Sequence, residues 1–250
     1  MYSIKQAIRS LINKTPYELQ KRLPASTLNG VELALAYYWE YNPNATLVQV
    51  GACDGVSNDP ISGFIRRRNV RAVLVEPIES SFRKLKAVYG DIPNARIAQA
   101  AIAEKDGSAT FYKVAETGRW AECTWAPQWA SFNKQHLLKH GVKPHEIEAV
   151  NVPCLSLRSL IEQFDLGKID FLQIDTEGFD AVVVEMALNL VDPPDCINFE
   201  NAHLDLATKE TLFQNLKTAG YVWTHDGLNT LAIHHSVVKH WSNPVSQLLI

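Results

Sequence analysis

Val48-Gln49-Val50-Gly51-Ala52-Cys53-Asp54-Gly55-Val56-Ser57-Asn58-Asp59-Pro60 is the stretch that decides the fold. Residues 46–50 are apolar and read as a buried strand. Gly51 and Gly55 then turn the chain. Asn58 or Asp59 can cap a helix that has Pro60 in its first turn. Strand, glycine turn and helix form the opening unit of a nucleotide-binding α/β sheet. Glycine admits a ligand where a Cβ would block it, and the helix start offers free N–H groups. The spacing is G-x-x-x-G; neither the G-x-G-x-x-G of a dinucleotide site nor a P-loop occurs.

A second apolar run, residues 71–75, ends in Glu76-Pro77. Glu76 lies 21 residues beyond Gly55. An acid at the tip of the second strand is where such sheets hold a ribose diol, because one carboxylate accepts two hydroxyl hydrogen bonds side by side. A strand-ending surface glutamate is the plainer alternative. A third run, Ile169-Asp170-Phe171-Leu172-Gln173-Ile174, leads into Asp175-Thr176-Glu177-Gly178-Phe179-Asp180. Its near-continuous apolarity is that of a strand buried on both faces.

These three blocks together resemble the FkbM family of S-adenosylmethionine-dependent methyltransferases, over residues 46–233. Gln49 stands where many methyltransferases carry an acid, and Cys53 where the family often has Asn. The resemblance implies a Rossmann-like class I methyltransferase fold: an α/β, seven-stranded, mostly parallel sheet with an antiparallel last strand and helices on both faces. It implies S-adenosylmethionine as cofactor, contacted by Gln49, Gly51, Ala52, Asp54, Gly55, Asn58, Asp59, Glu76, Pro77, Ala101 and Asp175. It also implies O-methylation of a sugar, polyketide or other secondary metabolite. A non-catalytic cofactor-binding subunit and an NAD-dependent oxidoreductase are the alternatives; the missing third glycine counts against the second.

The chain has 250 residues, 46 % of them hydrophobic, enough for one domain with a full core. The formal net charge of -3 offers no basic face for nucleic acid. Cys53, Cys123, Cys154 and Cys196 are scattered without a C-x-x-C, which suits a reducing cytoplasm rather than a disulfide framework or zinc site. No apolar run approaches the ~20 residues that span a bilayer. The expected partner is a small-molecule acceptor, without nucleic acid or membrane, and with a homodimer left open.

In chain order, residues 1–45 read as an N-terminal helical cap: residues 4–12, a short helix from Thr15-Pro16, and residues 31–41. The cap covers the substrate side, by analogy, or only completes the core. Residues 46–235 are the catalytic-type domain and 236–250 a helical tail or partner arm. Residues 96–102 read as the third strand, with Asp106-Gly107 turning into a hairpin strand over 108–114. Residues 115–150 break the alternation of strands and helices. Trp120, Trp125 and Trp129 fall there with Phe132, which suggests an acceptor-binding lid. A satellite hydrophobic cluster is the alternative. His136, His140 and His145 resemble metal-ligand spacing, but histidines at i and i+4 also occur by chance, and they read as a solvated helix face. Residues 150–153 are a short strand, and 221–224 with 230–234 a closing hairpin that a dehydrogenase sheet lacks.

Strand tips carry the candidate chemistry. Asp175 and His203 are candidate bases for an acceptor hydroxyl, with Glu200 beside them. Asp175, Glu200 and Asn201 offer oxygen ligands that would suit Mg²⁺, or else a hydrogen-bonded cluster without metal; the family resemblance does not itself imply a metal.

Overall fold

A computed structural model describes residues 30–121, 123, 126–225 and 228–238. The helices expected before residue 30, Trp125 and the tail beyond residue 238 lie outside the described residues. The elements run α1 (Gly30–Tyr41), β1 (Thr46–Val50), α2 (Ser62–Arg68), β2 (Arg71–Val75), α3 (Glu79–Tyr89), β3 (Ala95–Ala98), β4 (Ala101–Ile102) and β5 (Gly107–Val114). They continue with α4 (Lys134–Lys139), β6 (Ile147–Leu155), α5 (Leu157–Gln163), β7 (Phe171–Ile174) and α6 (Asp180–Leu188). β8 (Cys196–Glu200), α7 (Leu206–Thr218), β9 (Tyr221–His225), β10 (Asn229–His234) and α8 (His235–Val238) complete the set.

The main sheet has seven strands in the order β3-β2-β1-β7-β8-β10-β9. β3, β2, β1, β7 and β8 are parallel. β10 runs antiparallel between β8 and β9. This is the mostly parallel sheet with an antiparallel last strand that the sequence implied. Side chains alternate between two cores. Leu47, Ala72, Leu74 and Phe171 face one core with α1, α2 and α3. Val48, Val73, Leu172 and Ile197 face the other with α5, α6 and α7. Each fully buried Leu, Val, Ile or Phe contributes about 1.5–3 kcal/mol.

Four local readings change. The third strand ends at Ala98, and Ala101–Ile102 leaves it for a second, three-stranded sheet in the order β4-β6-β5. β5 is therefore not the hairpin mate of the preceding strand; β6 lies between them, parallel to β4 and antiparallel to β5. β6 accordingly runs five residues longer than the short strand at 150–153, because it carries both pairings. Helix α2 begins at Ser62, after Pro60, although Asp59 still serves its start: Oδ1 accepts from the Ile61 and Ser62 N–H groups at 2.8 and 2.9 Å.

Helix α1 completes the core. Val31, Ala34, Leu35, Tyr38 and Trp39 form its buried stripe, and the Trp39 ring meets Phe64 and Phe171. Tyr38 Oη donates to Asp195 Oδ2 at 2.5 Å, and Lys168 Nζ donates to Asp195 Oδ1 at 2.6 Å. Asp170 Oδ2 accepts from the Thr46 N–H at 2.7 Å. These groups stand at the entry of β1, β7 and β8, the edge opposite the strand tips.

Tyr38→Phe removes a hydrogen bond to a charged acceptor and should cost about 1.5–3 kcal/mol. The melting temperature should fall by roughly 3–12 °C while ligand affinity at the strand tips stays unchanged. A thermal melt within 1 °C of the parent would show that the bond adds no net stability.

Candidate functional site

The tips of β2, β1 and β7 open on one cleft of about 850 Å³, counting its open mouth. Gly51 N and Ala52 N both donate to Val75 O, and Asp175 N donates to Val50 O, so the three tips end level. Gly51 has φ +82°, and a Cβ on it would lie 1.8 Å from the Asp175 carbonyl oxygen. Only glycine lets these tips meet.

Of the predicted cofactor contacts, Gln49, Gly51, Ala52, Asn58, Asp59, Glu76, Pro77, Ala101 and Asp175 line the cleft. Asp54 and Gly55 do not. Asp54 Oδ1 accepts from the Val56 and Ser57 N–H groups and Oδ2 from Ser57 Oγ, so the carboxylate closes its own loop. Gly55 packs beneath the loop, where a Cβ would meet Leu85 and Tyr89 at 2.7 and 2.6 Å.

Glu76 is the best-defined group. Its Oε2 accepts from Cys53 N at 2.9 Å and its Oε1 from Ile78 N at 2.8 Å, leaving a second lone pair on each oxygen. Burial pushes its pKa up to about 7, against the pull of those two N–H groups. Gln49 is 3 % exposed. Its Nε2 donates to Asp59 Oδ2 at 3.0 Å, and its Oε1 is buried without a hydrogen-bond partner. The Cys53 thiol is pushed up to about 12 by burial and by Glu76, which makes it no nucleophile.

Acids crowd the far side. Asp175 opens into the cleft although protein walls it in; burial first, then Asp180, Glu177 and Glu200, raise its pKa well above the usual range. Glu200 is raised to about 7 by burial, Glu177 and Asp180. Asp180 accepts from Thr176 Oγ1 and Glu200 N at 2.9 and 3.2 Å, and burial raises its pKa too.

Glu200 and His203 stand behind the lining, 3.4 Å apart between Oε2 and Nε2. Burial lowers the His203 pKa. Asn201 is buried and donates from Nδ2 to Thr230 Oγ1 at 2.8 Å, which ties it to β10. Sequence reasoning missed Glu177, which lines the cleft, and placed His136 on a solvated face although it is 7 % exposed. The i, i+4 pair His136 and His140 was the available signal.

In the insertion, the tryptophans follow the satellite-cluster alternative. Trp120 and Trp129 pack edge-on at 5.9 Å in a separate cluster with Val114, Leu137 and Val142. The wall it gives the cleft is made by Gln128, Ala130 and Phe132, with Phe111 of β5. Asn58 Nδ2 donates across the cleft to Gln128 Oε1 at 3.3 Å.

The model of the methyltransferase FkbM domain matches residues 49–217. No curated protein matches the chain as a relative. Among solved structures, a methyltransferase FkbM from Methylobacillus flagellatus KT is 13 % identical, with TM-score 0.45, over 76 % of this chain and 44 % of that one. This chain thus spans less than half of that protein's length. A precorrin-6y C5,15-methyltransferase from Geobacter metallireducens GS-15 is 10 % identical, with TM-score 0.42, over 84 % and 92 %. Fibrillarin from Aeropyrum pernix, solved with natively bound S-adenosyl-L-methionine, is 12 % identical, with TM-score 0.39, over 76 % and 65 %.

The buried Glu76 makes stability depend on pH. The folded protein holds this proton up to about pH 7, whereas the unfolded chain releases it near the reference 4.5. The contribution is therefore complete below 4.5 and lost as pH rises to 7, by up to about 3 kcal/mol. Glu76→Gln stays neutral and carries only a constant offset from the changed acceptor. Urea unfolding should show its stability gaining on the parent between pH 4.5 and 7; a difference that does not change with pH would contradict the burial argument.

Proposed function

The chain belongs to the methyltransferase FkbM domain family, and from that premise we propose that it moves a methyl group from S-adenosylmethionine to a hydroxyl of a small-molecule acceptor. The observation that carries this reading is the convergence of Glu76 and Gln49 Oε1 on one cleft. Glu76 keeps two unused lone pairs for the ribose hydroxyls. Gln49 Oε1 is a buried acceptor lacking a donor, which suits the ammonium of an amino-acid moiety. Ala100 and Ala101, both buried at the cleft wall, leave room for a flat base.

S-adenosylmethionine supplies, when bound, a methyl already activated on a sulfonium. The work left to the protein is proximity, orientation and the acceptor's proton. Asp175 is our candidate for the proton: it lines the cleft, which supports the role, and its raised pKa would give its carboxylate the basicity to take one. Glu200 and His203, behind Glu177, are the second candidates. Phe111, Ala130 and Phe132 offer the acceptor an apolar wall, compatible with a sugar face or a polyketide. Among the described residues, no helix is long and apolar enough to cross a membrane.

S-adenosylhomocysteine at about 100 times its dissociation constant should stabilise the protein by ~2.7 kcal/mol in thermal unfolding. Glu76→Ala should abolish that shift. A shift with NAD alone would overturn the assignment. Transfer of labelled methyl groups to a panel of hydroxylated small molecules tests turnover. Asp175→Asn should lower it ~10²–10⁴-fold with cofactor affinity kept. Undiminished turnover would remove Asp175 as the base, and cofactor binding with no acceptor methylated would favour a non-catalytic subunit.

A further inference from the structure

His136, His140, Glu177 and His203 come from three separate places in the chain. They bring one ligand atom each within 4.8 Å of one another. His136 lies on α4 and His140 at its C-terminal cap, a spacing of four that puts both imidazoles on one face. Glu177 follows β7 and His203 follows β8. The ring centroids are 4.6 Å apart for His136 and His140, 4.9 Å for His136 and His203, and 5.4 Å for His140 and His203.

At the centre, His136 Nε2 lies 2.8 Å from Glu177 Oε2, yet the contact lacks the direction of a hydrogen bond, and both buried atoms are without a hydrogen-bond partner. His203 Nε2 lies 3.7 Å from the same oxygen. A neutral imidazole lone pair and a carboxylate oxygen repel unless a cation stands between them. A proton on Nε2 would leave the pair a poorly directed charge contact, because the geometry does not align an N–H with the oxygen. A metal ion bound by all four groups requires no such alignment.

The ligands are also held in place. His140 stacks on Trp129 at 4.6 Å with the planes 23° apart. Glu177 has a left-handed backbone, φ +52°, and its carbonyl accepts from the fully buried Ser131 Oγ at 2.8 Å. A non-glycine residue held there carries strain of the kind found at ligand sites.

We propose that His136, His140, Glu177 and His203 bind one divalent transition-metal ion of the zinc type in the wall of the cleft. Three imidazoles and one carboxylate match zinc, iron, cobalt or nickel, whereas Mg²⁺ and Ca²⁺ prefer oxygen alone. Bonds of about 2.0–2.2 Å in a tetrahedron separate donors by roughly 3.4 Å. The two nitrogen-to-oxygen distances of 2.8 and 3.7 Å bracket that value. Glu200 Oε2, 3.4 Å from His203 Nε2, stands in reach as a further oxygen. Because Glu177 also lines the cleft, the ion would stand beside a bound acceptor and could take its hydroxyl oxygen as a ligand. That role rests on the methyl-transfer reading; the site itself does not. With an ion bound, His203 is a ligand, and the acceptor's proton falls to Asp175.

The test is a Co²⁺ titration of tag-free, chelator-treated protein, followed by visible absorption. One equivalent should produce the bands of nitrogen-ligated cobalt, and one equivalent of Zn²⁺ should remove them. His140→Ala and His203→Ala should each weaken binding at least about tenfold. Glu177→Gln should do the same with the smallest change of shape. His145→Ala, on an exposed residue outside the cluster, should leave binding intact. Absence of the bands, or binding retained in both histidine variants, overturns the proposal. S-adenosylhomocysteine binding in the same samples separates the two readings: ligand binding without cobalt sinks the metal site alone, and cobalt binding without ligand sinks the cofactor reading alone.

Discussion

The tips of β1 and β7 touch at Gly51, where there is space for a hydrogen and nothing larger. That contact holds Val50 level with Ile174, and through the Gly51 and Ala52 N–H groups it also fixes the end of β2. Gln49, Glu76 and Asp175 face one crevice because three parallel strands stop together. The loop after β7 then rises on the far side and carries Glu177 to the histidines. A side chain at position 51 would not only strain a turn; it would push apart the two strands that define the site.

Much of this was legible because it is local. The glycine turn, the acid at the tip of β2 and the apolar run of β7 are each written in a dozen residues or fewer. The second sheet was not legible, because Ala101 pairs with Cys154 and periodicity says nothing about partners so far apart. Asp54 shows a different limit. A short carboxylate in a glycine-rich loop can face a ligand or close its own turn, and composition is the same for both; here three local hydrogen bonds decide it. The four-residue spacing of His136 and His140 is visible in the sequence, but it becomes a site only when β7 and β8 deliver Glu177 and His203.

The insertion is fastened at several points. It has a small core of its own around Leu137 and Val142. Tyr112 and Ser131 exchange backbone hydrogen bonds at 2.8 and 2.9 Å, which continues the second sheet into it. Ser131 then reaches Glu177, and Phe132 packs on Phe179 with ring centroids 4.9 Å apart. Each attachment ends within a few residues of the cleft, so the wall is braced from both sheets at once.

Glu76 on one side of the cleft, and Asp175 with Glu200 on the other, govern how charge moves through the site. Burial, with repulsion from acids beside each of them, makes these carboxyls hold their protons to higher pH than free ones. A positive group that enters favours their ionised forms and drives protons out into solvent. A departing neutral product lets the protons return. Loading and emptying the cleft therefore exchange protons with the surrounding buffer, and the ease of each step depends on the charge difference between what arrives and what leaves.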